Sequence, residues 1–516
     1  MLFRSLVSDS YAVEANPLLG NRANLEHSAN SLTWALDNWI YSANYNVRFR
    51  NTGGLWERGA TVARGQWGLS QDDYGRLFYN SNSDQLRADV VPAEYLSRNP
   101  NFTSAQGANF RVGLTQDVWP GRMNPGVNRG YQAGQLRDDF TLATFTAACA
   151  PMIYRGNLFP AAYRGNAFLC EPAGNLVRRN VLVEKDGGIT ATMPYKDTEF
   201  LVSTDERFRP VNLATGPDGA MYVVDLYRGI LQHRVYVTSY LREQILSREL
   251  QTPVNQGRIY RVVPATANVA TAPRPNLTNA ASADLVGQLS HANGWWRDTA
   301  QRLLVERADL SVLPALRKLA ASGPSPLGQI HALWTLDGLG HSDPVTIVSA
   351  LKSKDPQVRA NAIRVSESLL KSRNAAPAML ATLLPLANDP DLNVQRQLAF
   401  SLSENDDRLP ALASILFQYR ENALVRDAVF TSLAGRELEM LERITGDAAW
   451  QVQGNPATDV LLQLSRAVFL EGNGARISRL LDLAARQTGG VAWRQLALLD
   501  GLHALDEVGE IGRAHV

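Results

Sequence analysis

The chain has 516 residues, is 45% hydrophobic and 20% charged, and carries a formal net charge of +1. That length exceeds one ordinary core, and the balance excludes disordered, fibrous and collagen-like classes. The near-neutral charge gives no support to electrostatic nucleic-acid binding, and no apolar run reaches the ~18 residues of a membrane span.

The N-terminal MLFRSLVSDS lacks the apolar segment of a secretion signal. Up to residue 264 the sequence runs in short alternating stretches divided by Gly, Pro, Asn and Asp. Four segments share a turn-then-strand grammar: LDNWIYSAN at 36–44, DDYGRLFYNSNSD at 72–84, YRGNAFLCEPAGNLVRR at 163–179 and GPDGAMYVVD at 216–225. Their anchors Asp37, Asp73, Asn166 and Asp218 stand 36, 93 and 52 residues apart. With the middle gap read as two units, the mean is the ~40–50 residues of one propeller blade. A β-sandwich is the rival, and this stretch is long for one. Asp218-Gly219 predicts a hairpin turn leading into an inner strand over 220–224, whose far end delivers Asp225, Tyr227 and Arg228. The two cysteines, Cys149 and Cys170, lie on neighbouring strand-like segments, which leaves a disulfide and two buried thiols both open.

After an Ala/Thr/Pro/Asn-rich linker at 265–282, apolar residues recur at helical spacing. Trp296, Gly328, Val358, Val394, Val425, Val460 and Trp493 occupy equivalent places, 32, 30, 36, 31, 35 and 33 residues apart. Asp-Pro pairs at 355–356 and 389–390 predict helix starts, where proline is harmless in the first turn. The expected fold is therefore multidomain, β then α: a partial β-propeller over 1–264, the linker, and a HEAT-type α-solenoid over 283–509. The last residues, 510–516, read as a non-native tail.

The stretches EHSANSLTWALDNWIYSANY, RGQWGLSQDDYGRLFYNSNSDQLRADVVP, NPGVNRGYQ, CAPMIYRGNLFP, GNAFLCEPAGNLVRR, STDERFRPVNLATGPDGAMYVVDLYRGILQHR and QGRIYRVVP together resemble the bacterial membrane-bound dehydrogenase family of β-propellers, related in fold to quinoprotein glucose and sorbosone dehydrogenases. The resemblance implies an oxidoreductase that takes a sugar or polyol hydroxyl as substrate. It implies pyrroloquinoline quinone (PQQ) and calcium as cofactors and a cytochrome c electron acceptor. Haem c would sit only in a C-terminal domain absent from this chain, and the location would be periplasmic or cell-envelope associated. The four segments supply fewer blades than such a ring needs, so a gene fragment is expected. A non-catalytic carbohydrate- or protein-binding scaffold, with a protein partner on the solenoid, is the alternative.

Each candidate residue has two readings. Asp225, Arg228 and His233 follow a strand's end and suit a channel site, or Asp225 and Arg228 tie adjacent blades. The resemblance implies a channel histidine as the base that removes the hydroxyl proton, a role for His27 with His233 second, against the reading of His27 as a hydrogen-bonded structural histidine. Arg209, Asn212, Tyr227, Glu171 and Asn175 sit in candidate loops fit for a carboxylate-bearing cofactor, or for inter-blade ion pairs. Asn80, Asn82 and Asp84 would share one face of an extended segment and ligate calcium, or form an Asx-rich turn.

Overall fold

The computed structural model describes residues 28–52, 55–102, 105–267, 275–372, 374–402 and 406–503. His27 and the tail at 510–516 lie outside the described residues. Antiparallel sheets come first and a run of helices follows.

Among the described residues there are four sheets, built of antiparallel strands that pair with their sequence neighbours except at β13. The first holds β1 (Asn30–Trp34), β2 (Trp39–Ala43), β3 (Val47–Thr52) and β4 (Leu55–Ala60). The second holds β5 (Leu69–Gln71), β6 (Leu77–Ser81), β7 (Asp84–Asp89) and β8 (Phe110–Arg111). The third holds β9 (Cys149–Ile153), β10 (Ala167–Glu171), β11 (Leu176–Lys185) and β12 (Gly188–Thr192), with β13 (Leu201–Val202) also on β11. The fourth holds β14 (Pro210–Thr215), β15 (Met221–Asp225) and β16 (Arg258–Val262). First strands meet between sheets: β9 packs on β5 and on β14.

Turn chemistry explains why the chain reverses where it does. Asp37 accepts from the Trp39 N–H at 3.2 Å and the Tyr41 hydroxyl at 3.0 Å. Asp218 repeats this on the Ala220 N–H at 3.1 Å and the Tyr222 hydroxyl at 3.0 Å. A carboxylate that satisfies the backbone two residues on is an Asx turn. Gly219 completes the fourth hairpin at φ +77, and a Cβ there would lie 2.9 Å from the Leu158 nitrogen. In the second sheet the turn belongs to Asp72, which accepts from the Tyr74 and Arg76 N–H groups at 2.9 and 3.0 Å. Asp73, the residue the spacing singles out, points elsewhere. The strand after Gly219 is the middle one of its sheet, not the inner one.

Met152, Tyr154, Phe168, Val177, Met221 and Val223 share one core between the third and fourth sheets. Burial of each such side chain contributes on the order of 1.5–3 kcal/mol. Cys149 and Cys170 face each other across β9 and β10 in this core, both buried and both free thiols.

The chain divides into two compact units: Met1–Val90 with Asn109–His341, and Val91–Ala108 with Ser342–Val516. Within the first, the helices Gly294–Arg307 and Pro326–Gly338 dock on the sheets' hairpin turns. Asn38 Nδ2 donates to the Trp334 carbonyl at 2.7 Å, Gln301 Nε2 to Leu36 at 2.8 Å, and Trp296 Nε1 to Pro217 at 2.7 Å. Arg155 binds Asp298 with both Nη atoms, at 2.6 and 3.0 Å, and gives its Nε to Asp73 at 2.6 Å. Arg297 pairs with the same Asp73 oxygen. Burial would raise the Asp73 carboxyl, but the Arg155 and Arg297 guanidiniums hold it down at about 2.

In the second unit, the spaced positions Val358, Val394, Val425 and Val460 fall within the helices Pro356–Leu370, Leu392–Ser401, Ala423–Thr431 and Asn455–Glu471, all fully buried. Asp355 caps its helix with Pro356 in the first turn, as the Asp-Pro pair predicts. The second pair behaves differently: Asp391 is the cap, while Asp389 accepts from Arg359 Nε and Nη2 at 2.8 and 2.7 Å. The excursion Val91–Ala108, between β7 and β8, packs on these helices. Tyr95 stacks on Phe400 at 4.7 Å, and Asn99 Nδ2 donates to the Phe430 carbonyl and Glu437 at 2.8 and 2.7 Å. Nothing in the turn grammar or the helical period anticipates this segment. Among the described residues no helix is long and apolar enough to cross a membrane.

Candidate functional site

The first strands of the sheets have two ends. Their exits feed the hairpin turns that hold the helices, and their entries wall a cavity of about 910 Å³. Asn30 and Ser31 come from β1, Gln66, Trp67 and Gly68 from the approach to β5, Cys149 and Ala150 from β9, and Val211 and Asn212 from β14. The turn at Ser81–Ser83, the loop residues Val127–Arg129, Gln135 and Thr144–Ala147, Pro172 and Ala173, and Leu226, Leu231, Gln232 and Tyr236 complete the wall.

The lining is chemically narrow. It combines side-chain amides (Asn30, Gln66, Asn82, Asn128, Gln135, Asn212, Gln232), hydroxyls (Ser31, Ser81, Ser83, Thr144, Thr146), the rings of Trp67 and Tyr236, and aliphatic side chains such as Val211 and Leu231. Among the described residues on this wall, Arg129 alone is charged. Trp67 is fixed by its Nε1, which donates to Asn82 Oδ1 at 2.5 Å, and its ring packs on the core below. Asn30 Oδ1 accepts from the Gly68 N–H at 3.1 Å while its Nδ2 donates to the Gln66 carbonyl at 2.7 Å, so the entries of the first two sheets brace each other.

Two expected site residues, Glu171 and Asp225, prove to be equivalent parts of the scaffold. Each ends the second strand of its sheet. Glu171 is fully buried and accepts from the Thr146, Ala147 and Ala173 N–H groups at 3.0, 2.9 and 3.1 Å. Asp225, 1% exposed, accepts from the Arg209 and Tyr227 N–H groups, both at 2.8 Å. Each carboxylate thus satisfies donors just ahead of the first strand and two residues beyond itself, clamping the wall from behind. Burial pushes the Glu171 carboxyl up to about 7 against the pull of those N–H groups. The folded chain therefore holds this proton where the unfolded chain has released it. Glu171 favours folding most fully below pH 4.5, and that contribution, about 3 kcal/mol, drains away as pH rises through 7. Denaturation midpoints of wild type and Glu171→Gln across pH 5–8 are expected to converge at the acid end and separate at the alkaline end.

Arg209 is likewise spent inside. Its guanidinium donates to the carbonyls of Pro172, Arg228 and Gly229 at 2.7, 3.1 and 3.0 Å, and burial lowers it to about 10. Asn175 bridges the Phe208 carbonyl at 2.7 Å and Asn124 at 3.2 Å. Of the expected cofactor residues only Asn212 reaches the cavity. Tyr227 lies half-buried under the Arg258 guanidinium, 3.5 Å from its ring centroid. Arg228 is exposed, His233 is half-buried just ahead of a short helical turn, and His27 lies outside the described residues.

The calcium set does not form. The segment is a hairpin, not an extended run: Asn80 is on β6, Asp84 is on β7, and Ser81 pairs with Asp84. Asn80 turns its amide to the Trp67 carbonyl and the Cys149 N–H, both at 3.1 Å, and Asp84 takes Arg87 at 2.7 Å. Among the described residues no cluster of three His, Cys, Asp or Glu side chains is placed for a metal ion. A quinone tricarboxylate fits no better, because the buried Arg209 faces only carbonyls and the wall offers the single fork of Arg129.

The cavity residues were within reach of the sequence. Asn30 precedes Asp37 by seven residues, Gln66 precedes Asp72 by six and Asn212 precedes Asp218 by six. An amide side chain thus recurs at one strand length before the turn aspartate.

Residues 9–266 match the family described as "Domain of unknown function (DUF7133)". No curated protein matches the chain. Among solved structures, a designed armadillo repeat protein is 15% identical, covers 44% of this chain and 100% of its own, and has a TM-score of 0.23. An engineered protein is 20% identical, covers 43% of this chain and 98% of its own, and has a TM-score of 0.19.

Proposed function

The chain belongs to the DUF7133 family, and from the cavity that its sheets wall we propose that it binds an oligosaccharide. The sheets are read as consecutive propeller blades with the cavity at their axis, and the helical repeats as a HEAT-type scaffold presenting a surface to a protein partner. The observation that carries the reading is the lining itself. Amides and hydroxyls in a concave wall match a ligand that is both donor and acceptor at every carbon, and the half-buried Trp67 and Tyr236 offer flat apolar faces to sugar rings. A volume of about 910 Å³ admits several sugar units.

This reading is favoured over oxidation of a sugar or polyol hydroxyl. Among the described residues the wall holds no carboxylate or imidazole to take a hydroxyl proton, and of the expected PQQ and calcium residues only Asn212 and Asn82 reach it. A carbohydrate ligand also suits the periplasmic or cell-envelope location that the family resemblance implies. Titration calorimetry over a panel of oligosaccharides, paired with a dye-reduction assay after loading with quinone and calcium, tests the choice. Saturable binding without turnover is expected. Turnover lost in His233→Ala would reinstate the oxidoreductase.

A further inference from the structure

Arginines in the sheet half mostly have partners. Arg64 pairs with Asp89, Arg76 with Asp72, Arg178 with Glu199, and Arg261 with Asp218. Arg129, Arg228 and Arg234 depart from this pattern. All three are exposed, and none makes a side-chain hydrogen bond or ion pair with another described residue. Arg129 lines the cavity at φ +63, a left-handed backbone that costs a non-glycine residue on the order of 1 kcal/mol. Arg228 and Arg234 stand on the stretch whose Leu226, Leu231, Gln232 and Tyr236 line the same cavity.

Guanidiniums without a paired carboxylate, beside a wall that itself carries none, favour an anionic ligand. Arginine's planar fork matches a carboxylate or a sulfate with two parallel hydrogen bonds. Building on the oligosaccharide reading above, we infer that the ligand is an anionic oligosaccharide, with Arg129 as the residue that reads its acidic group and Arg228 and Arg234 steering it to the cavity. The amides and rings bind the sugar body; the arginines select the charge.

The test is calorimetry on the full chain with three probes of matched length: an oligogalacturonate, a sulfated oligosaccharide and a neutral malto-oligosaccharide. At least one anionic probe is expected to bind tenfold or more tightly than the neutral one, with the advantage shrinking as salt is raised. Whichever anion leads identifies the acidic group as carboxylate or sulfate. Arg129→Gln is expected to remove most of the preference for the anionic probe, and Arg228→Gln/Arg234→Gln to slow association. These are exposed side chains, so an unchanged melting temperature will separate lost recognition from lost fold. Equal affinity for neutral and anionic probes, or a preference that survives all three substitutions, would overturn the inference while leaving the oligosaccharide reading in place. Binding of none of the probes would overturn both.

Discussion

Asp73→Asn is expected to destabilise the first compact unit by about 3–5 kcal/mol, the usual cost of stranding a buried charge. Arg297 is fully buried and Arg155 is 8% exposed, and both pair with the one Asp73 carboxylate. Asparagine would keep the shape and remove the charge, leaving Arg297 without an anion, while Arg155 would keep Asp298. The helix Gly294–Arg307 should loosen first, because Arg297 is on it. Chemical denaturation followed by tryptophan fluorescence will read the loss, and hydrogen exchange will locate it. The double substitution Asp73→Asn/Arg297→Gln should recover part of the stability, since it removes the stranded cation as well. A loss below about 1 kcal/mol would mean that the network is a solvated ornament. The pH dependence has the opposite sign to that of Glu171. Asp73 is held at about 2 against an ordinary 3.8, so its contribution is complete above 3.8 and disappears as pH falls towards 2. Roughly 2 kcal/mol is at stake in that window.

Trp67→Ala is expected to weaken oligosaccharide binding about thirtyfold, or about 2 kcal/mol, as loss of a central aromatic anchor commonly does. Trp67 also packs on the core between the third and fourth sheets, so the variant will lose stability too. Trp67→Phe separates the two effects. It keeps a ring over the core, loses the hydrogen bond to Asn82, and should retain most of the affinity. Equal affinity in all three proteins would remove the ring from the binding account.

What was legible in the sequence was local. The helical spacing found Val358, Val394, Val425 and Val460 because each repeat buries its own equivalent valine. Asp37 and Asp218 were legible because an Asx turn is settled within four residues. The Asp72-Asp73 pair misled for a physical reason: both are turn-formers by type, and the choice between them lies with Arg155 and Arg297, far along the chain. Asp225 was expected at a strand's end and Glu171 in a cofactor loop, yet the partners of both are backbone N–H groups, which every residue carries and no composition reveals. Tyr95 and Asn99 were invisible because the surfaces that bury them belong to residues about 300 positions away. The cavity had a signal, the amide ahead of each turn aspartate, which is apparent only once the strand entries are known to converge.

Hydroxyl-radical footprinting of the intact chain, with and without a bound oligosaccharide, tests the central claim most directly. Protection is expected at the half-buried Trp67 and Tyr236, with Trp295 on its helix unchanged. Protection confined to the helices, or none at the cavity rings under saturating ligand, would contradict it.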